Sequence, residues 1–304
     1  MKLLAYSRSL AAQFHSGQSD GFAGTKLGVY LYGLATVSAG ILDLIWGDFE
    51  AAHQPIGALG DHIPGRAIFA YITAGWMIVG GAAVLWRRTA RTGALATALV
   101  YFVFGLFWLP RFYTAPHMLG FRLTLLIGLL DQMFTQLIVV AGSLVLYASF
   151  APPTSFWVQK MPVIARWTFG LGSVLFGLGH LTSSQSVARM IPKWMPLGAS
   201  FWVVISGIAF LLAGLAILWG TLDILAARLL ALMLLIFEII LVPIILEHPQ
   251  AHVAWGSTAY NLAAVGAVWI FASTITSRHA DRKHILSVDP LDLHVVKSEI
   301  AEEI

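Results

Sequence analysis

The chain contains no cysteine and very little charge. Without cysteine there are no disulfides, no thiolate nucleophile, no Cys-ligated iron–sulfur or zinc site and no c-type haem attachment. Redox chemistry therefore has to come from a bound cofactor or a partner subunit. Charged residues make up 11% of the 304 positions and hydrophobic residues 58%. A soluble domain is nearer a quarter charged, so water is not the solvent for most of this chain. The net charge is only +3, and the basic residues are scattered through short loops rather than gathered among aromatics. That excludes nucleic acid as a partner class. Also absent are a Walker loop, a dinucleotide glycine fingerprint, a serine elbow and an HExxH pair. The first 26 residues lack both an apolar core and a small-residue cleavage site, so the first span is expected to serve as the targeting signal.

What is present is a series of long apolar segments. A bilayer core needs about 20 mostly apolar residues per helix. Eight segments meet that length, at 27 to 46, 67 to 86, 93 to 113, 119 to 148, 163 to 182, 200 to 219, 224 to 246 and 252 to 276. None alternates as a barrel strand does, and a helix pairs its own backbone within lipid. The expected fold is an all-α integral membrane protein with eight transmembrane helices. With a cytoplasmic N-terminus, that side holds Lys2, Arg8, Lys26, Arg87, Arg88, Arg91, Lys160, Arg166, Arg228, Arg278, Arg282, Lys283 and Lys297. The other side holds Arg66, Arg111, Arg122, Arg189 and Lys193. Basic residues favour the cytoplasmic side, so both termini are expected inside a bacterial inner membrane. Trp46, Trp86, Trp108, Trp194, Trp219 and Trp255 fall near span ends, as in an aromatic belt.

The spans repeat. "YGLATVSAGILDL" (32 to 44) lies over "FGLGSVLFGLGHL" (169 to 181), aligning Gly33 with Gly170 and Gly40 with Gly177. Pro64, Phe69 and Gly75 align with Pro196, Phe201 and Gly207, and Phe104, Pro110 and Pro116 with Phe237, Pro243 and Pro249. Each copy has an even number of spans, so the expectation is two parallel four-helix repeats. The corresponding division is a segment at 1 to 26, a first repeat at 27 to 148, a linker at 149 to 162, a second repeat at 163 to 276 and a polar tail at 277 to 304. Glycines seven apart share a helix face and let a neighbouring helix approach closely.

Asp43, Asp131, His180 and Glu238 are the acidic and histidine residues that lie inside the spans beyond their first residues. Charge at mid-bilayer costs about 3 kcal/mol on insertion scales, so such residues face a bundle interior and find a partner. They are the candidates for proton chemistry. His180, Trp194, Gln132 and Gln136 are candidates to hold a cofactor headgroup. Each also has a plain reading. His180 can bond to the loop beyond its helix, and Asp43 can cap its helix or pair with Arg66. Asp131 and Glu238 can be neutral carboxyls bonded to a backbone or amide group. Outer loops add His53, His62, His117, His248 and His252, with Asp48, Glu50, Asp61 and Glu247. His248 and His252 stand four apart, but Pro249 lies between them and no third ligand has diagnostic spacing, so no metal site is assigned. A b-type haem needs two histidines at matched depth, and only His180 lies inside a span beyond its first residue.

At 177 to 218, "GLGHLTSSQSVARMIPKWMPLGASFWVVISGIAFLLAGLAIL" resembles the DoxX-like family of bacterial four-helix membrane proteins. The resemblance rests on a Gly-rich helix ending in His180, a hinge of Ile191, Pro192, Trp194 and Pro196, and Phe201-Trp202 leading to Gly207 and Gly214. It implies a four-helix fold per copy and a link to membrane redox systems, since family members include subunits of thiosulfate:quinone oxidoreductase. Many relatives carry an acidic residue in the helix after the hinge, where this chain reads Gly207-Ile-Ala-Phe210. Three functions follow as expectations. One is a quinone-associated subunit serving other membrane or periplasmic redox subunits. The others are a non-catalytic membrane scaffold and a small-solute transporter.

Overall fold

The computed structural model describes residues 25–53, 64–151 and 155–287. Helix is the dominant element throughout. In chain order the elements are α1 (Thr25–Trp46), a 3-10 turn (Ala51–His53), α2 (Arg66–Leu85), α3 (Ala90–Phe107), α4 (Arg111–Leu119), α5 (Leu123–Phe150), α6 (Phe156–Thr182), α7 (Ser184–Ala188), α8 (Ala199–Trp219), α9 (Asp223–Glu247) and α10 (His252–Ser287). Eight helical stretches, with α3 and α4 counted as one, are long and apolar enough to cross a membrane. Large apolar side chains stand outward at the centres of these helices: Val79 is 70% exposed, Leu212 63% and Ile239 65%. A surface of that kind suits a lipid solvent.

Boundaries differ from those expected in three places. The third span breaks at Trp108 to Pro110, because Pro110 has no N–H to continue the helical ladder, and α4 starts again behind it. The segment expected as a linker at 149 to 162 is helical from Phe156 onward, with Pro162 accommodated inside α6. At the other end, α10 continues past 276 to Ser287. The N-terminal 24 residues, most of the segment after His53, and the acidic end of the tail lie outside the described residues.

Small residues decide the closest helix contacts. A Cβ on Gly81 of α2 would come within 2.8 Å of the Gly33 carbonyl oxygen of α1, and one on Gly40 would meet the Ala74 carbonyl. Between α6 and α8 the same device recurs. A Cβ on Gly214 would lie 2.7 Å from the Gly170 oxygen, and one on Gly177 would meet the Gly207 oxygen. Both helix pairs therefore approach backbone to backbone, which larger residues forbid.

The middle of the bundle is built by α5 and α10. Helix α5 packs on α3, α6 and α10, while α10 packs on α9 and α5. Gly28 and Gly266 also bring α1 against α10. The first helix of each half thus touches the last helix of the other: α1 meets α10, and α6 meets α5. Tyr32, Phe104, Phe169 and Phe271 are fully buried in this core. The Tyr32 hydroxyl lies 2.5 Å from Ser143 Oγ and 3.2 Å from the Val139 carbonyl, tying α1 to α5.

Candidate functional site

Asp43 lies one turn from the end of α1, and its side chain is completely buried. Just beyond, Gly47 takes a left-handed backbone (φ 63°), where a Cβ would strike the Tyr71 hydroxyl. That turn sends the chain back over the helix end. The Glu50 N–H then donates to Asp43 Oδ1 at 3.1 Å, and the His53 N–H donates to the Glu50 carbonyl at 3.0 Å. His53 is thereby carried under the helix end with its Nδ1 3.4 Å from Asp43 Oδ2. From the far end of the sequence, His252 at the start of α10 places Nε2 3.2 Å from Asp43 Oδ1, at ion-pair distance but off the hydrogen-bond direction. One carboxylate is held between two imidazoles.

The walls are aromatic. His53 stacks on Phe104 with ring centroids 4.4 Å apart and meets the edge of Tyr101 at 5.6 Å. His252 stacks on Trp46 at 4.8 Å with the rings nearly parallel. Glu50 is also buried, and Gly256 of α10 leaves the room its side chain occupies. Burial works against the charged form of the His53 imidazole. The hydrogen bond and charge of Asp43, with the charge of Glu50, outweigh that and hold its pKa above the ordinary histidine value. His53 Nε2 and the Tyr101 hydroxyl are both buried and have no hydrogen-bond partner among the described residues. The cluster can hold a proton between Asp43 and either imidazole, and His252, 15% exposed, opens it toward the end of the bundle.

The other sequence candidates do not join this cluster. His180 ends α6 as Asp43 ends α1, but its Nδ1 donates to the Phe176 carbonyl at 2.8 Å and its ring rests against Phe210 at 5.1 Å. Its bond runs back into its own helix rather than out to the following loop. Glu238 Oε1 accepts from Asn261 Nδ2 at 2.5 Å, the arrangement of a carboxyl bonded to an amide. Asp131 faces Gly179 of α6, and its Oδ1 is buried with no partner among the described residues. Asp131 sits eight residues after the start of α5 and Glu238 nine before the end of α9, on the order of 12 to 14 Å from those helix ends at 1.5 Å per residue. Gln136 is fully buried, Gln132 half-buried, and Trp194 is 65% exposed in the loop before α8, apart from any polar cluster.

The expected partner of Arg66 is corrected. Arg66 does not reach Asp43; it forms a two-pronged bond with Asp48, at 2.7 and 2.9 Å. A carboxylate in the loop is nearer than one beneath the turn. His252 does not pair with His248, because α9 ends at Glu247 and α10 starts at His252, so the two never share a helix face. His53 and His252 read as loop histidines in the sequence, yet they complete the cluster. Their partner lies 10 residues away in one case and at the other end of the sequence in the other, and no local spacing records that. Among the described residues, no group of three or more His, Cys, Asp or Glu side chains has the geometry to hold a metal ion.

The family described as "Domain of unknown function (DUF8561)" matches residues 171–272. The match takes in α8 and α9 with the last part of α6 and the first part of α10, so it includes His180, Glu238 and Asn261 and leaves Asp43 and His53 outside. No curated protein and no solved structure matches the chain.

Proposed function

We propose that the chain is a multi-pass inner-membrane protein whose outer end carries a proton-exchanging site serving a lipid-soluble, quinone-type partner. The observation that carries this reading is the buried Asp43 carboxylate between His53 and His252, walled by Trp46, Tyr101 and Phe104. Burying a carboxylate is costly unless it is paired. Two imidazoles that pair it and can each take its proton make the arrangement suited to proton exchange. The concentration of basic residues in the loops expected at the opposite end supports a cytoplasmic place for that end and both termini.

We also propose that the two halves are diverged copies of one four-helix unit related to the DoxX-like family. The support is the matched pair of glycine contacts, Gly33 on Gly81 and Gly170 on Gly214, together with the sequence repeat. A second reading, a scaffold without catalysis, is favoured by one observation: the bonds of Asp43 fasten α1, the 3-10 turn and α10 together. Titration of the detergent-purified protein with a short-chain quinone, followed by tryptophan fluorescence, separates them. Saturable quenching that weakens at least tenfold in Asp43→Asn supports the quinone-linked site. No saturable quenching leaves the scaffold.

A further inference from the structure

The other end of the bundle carries a different feature. An apolar groove of about 370 Å³ runs between α3, α5 and α6, lined by Leu95, Leu99, Phe102, Leu144, Ile164 and Thr168 among others. Leu99, Phe102 and Ile164 are 48%, 45% and 45% exposed, so the groove opens sideways. Helix register places a cation above it on two sides. Arg91 precedes Leu95 by four residues and Phe102 by eleven, on one face of α3. Lys160 precedes Ile164 by four and Thr168 by eight, on one face of α6. Arg91 is held in place by Tyr147: its Nη2 donates to the phenol oxygen at 2.9 Å, and the guanidinium lies 4.9 Å from the ring centroid. The Lys160 ammonium lies 5.3 Å from the Phe156 ring centroid. Neither cation has a carboxylate partner among the salt bridges of the described residues.

We propose that this groove binds an anionic diacyl phospholipid, with an acyl chain along the apolar walls and the phosphate between Arg91 and Lys160. An apolar channel headed by cations is complementary to a molecule with an anionic head and a hydrocarbon tail. Arginine adds a planar fork that matches phosphate oxygens. Aromatic rings beneath each cation keep the charged groups at headgroup level while their stems lie along apolar surface. The inference rests on the membrane-spanning reading and is independent of the proton chemistry at the opposite end.

The test is native mass spectrometry of the full chain in mild detergent, titrated with dioleoylphosphatidylglycerol or dioleoylphosphatidylcholine. The anionic lipid is expected to bind about tenfold more tightly or better, as two juxtamembrane cations imply. Arg91→Gln with Lys160→Gln is expected to abolish that preference, while Arg88→Gln, on the same loop, leaves it unchanged. Leu99→Trp fills the groove from an exposed position and is expected to weaken binding of the anionic lipid with helix content retained. Equal binding of the two lipids, or a preference that survives the double substitution, overturns the proposal. So does full displacement by millimolar inorganic phosphate, which would show that the headgroup alone is recognised. Recovery of the chain in the soluble fraction without detergent overturns the membrane reading together with this one, whereas failure of lipid binding in a detergent-dependent protein overturns this one alone.

Discussion

Asp43 and His180 stand at the ends of α1 and α6, two helices that pack on their neighbours through the same glycine device, yet their surroundings differ in kind. Asp43 meets two histidines and a backbone N–H from two separate segments, the turn after α1 and the start of α10. His180 bonds to its own helix and rests among phenylalanines. The packing is alike where the chemistry differs. The difference teaches that shared helix geometry constrains backbone approach, while the polar site depends on what the flanking loop and the distant helix bring to it.

The largest effect is expected at Asp43. Asp43→Ala removes the partner of the buried His53 imidazole and of the partly exposed His252, and is expected to destabilise the protein by about 3 kcal/mol, read by denaturant unfolding in detergent. His180→Ala breaks one bond to a local carbonyl and should cost about 1 kcal/mol. Equal losses would erase the distinction. Next come the glycines. Gly81→Ala and Gly214→Ala each press a methyl group against a facing carbonyl and are expected to cost about 1 to 3 kcal/mol apiece, a matched pair in thermal unfolding. A large cost in one and none in the other would mean that the two helix pairs are not built alike.

A smaller effect follows pH. The pKa of His53 is raised on folding, so its contribution to stability is full below its unfolded value near 6.5 and is lost as pH rises through the higher folded value. Unfolding midpoints measured from pH 5.5 to 8.5 are expected to fall across that interval, and the fall should disappear in Asp43→Asn. The smallest effect is expected at the surface pair of Arg66 and Asp48. Asp48 is 44% exposed, and Asp48→Asn should cost less than about 1 kcal/mol in the same assay. A loss as large as that of Asp43→Ala would make the loop, rather than the cluster, the anchor of this end.

Much of the fold was legible in the sequence because helix length and apolar content are local properties. The spans at 67 to 86 and 200 to 219 agree with α2 and α8 to within a residue at either end. Where Pro110 interrupts the third span and where α6 runs back to Phe156, composition alone misplaces the limits, since tertiary packing decides how far a helix extends. The site was legible only in part. Asp43 and Glu238 stand out as carboxyls among apolar residues, but Asn261, His53 and His252 look ordinary where they occur. Their contribution comes from long-range packing: α10 crosses back to α1, and the Gly47 turn folds His53 beneath the helix end. Only three dimensions put His53 and His252 beside Asp43, and Asn261 beside Glu238.

The most direct test is mass spectrometry of the organic extract from protein purified in mild detergent, comparing the wild type with Asp43→Asn and His180→Ala. The account predicts a quinone-class molecule near stoichiometric amounts in the wild type and in His180→Ala, and its loss in Asp43→Asn. An extract in which Asp43→Asn keeps the molecule while His180→Ala loses it, or in which all three are empty, would contradict the assignment of function to the Asp43 end.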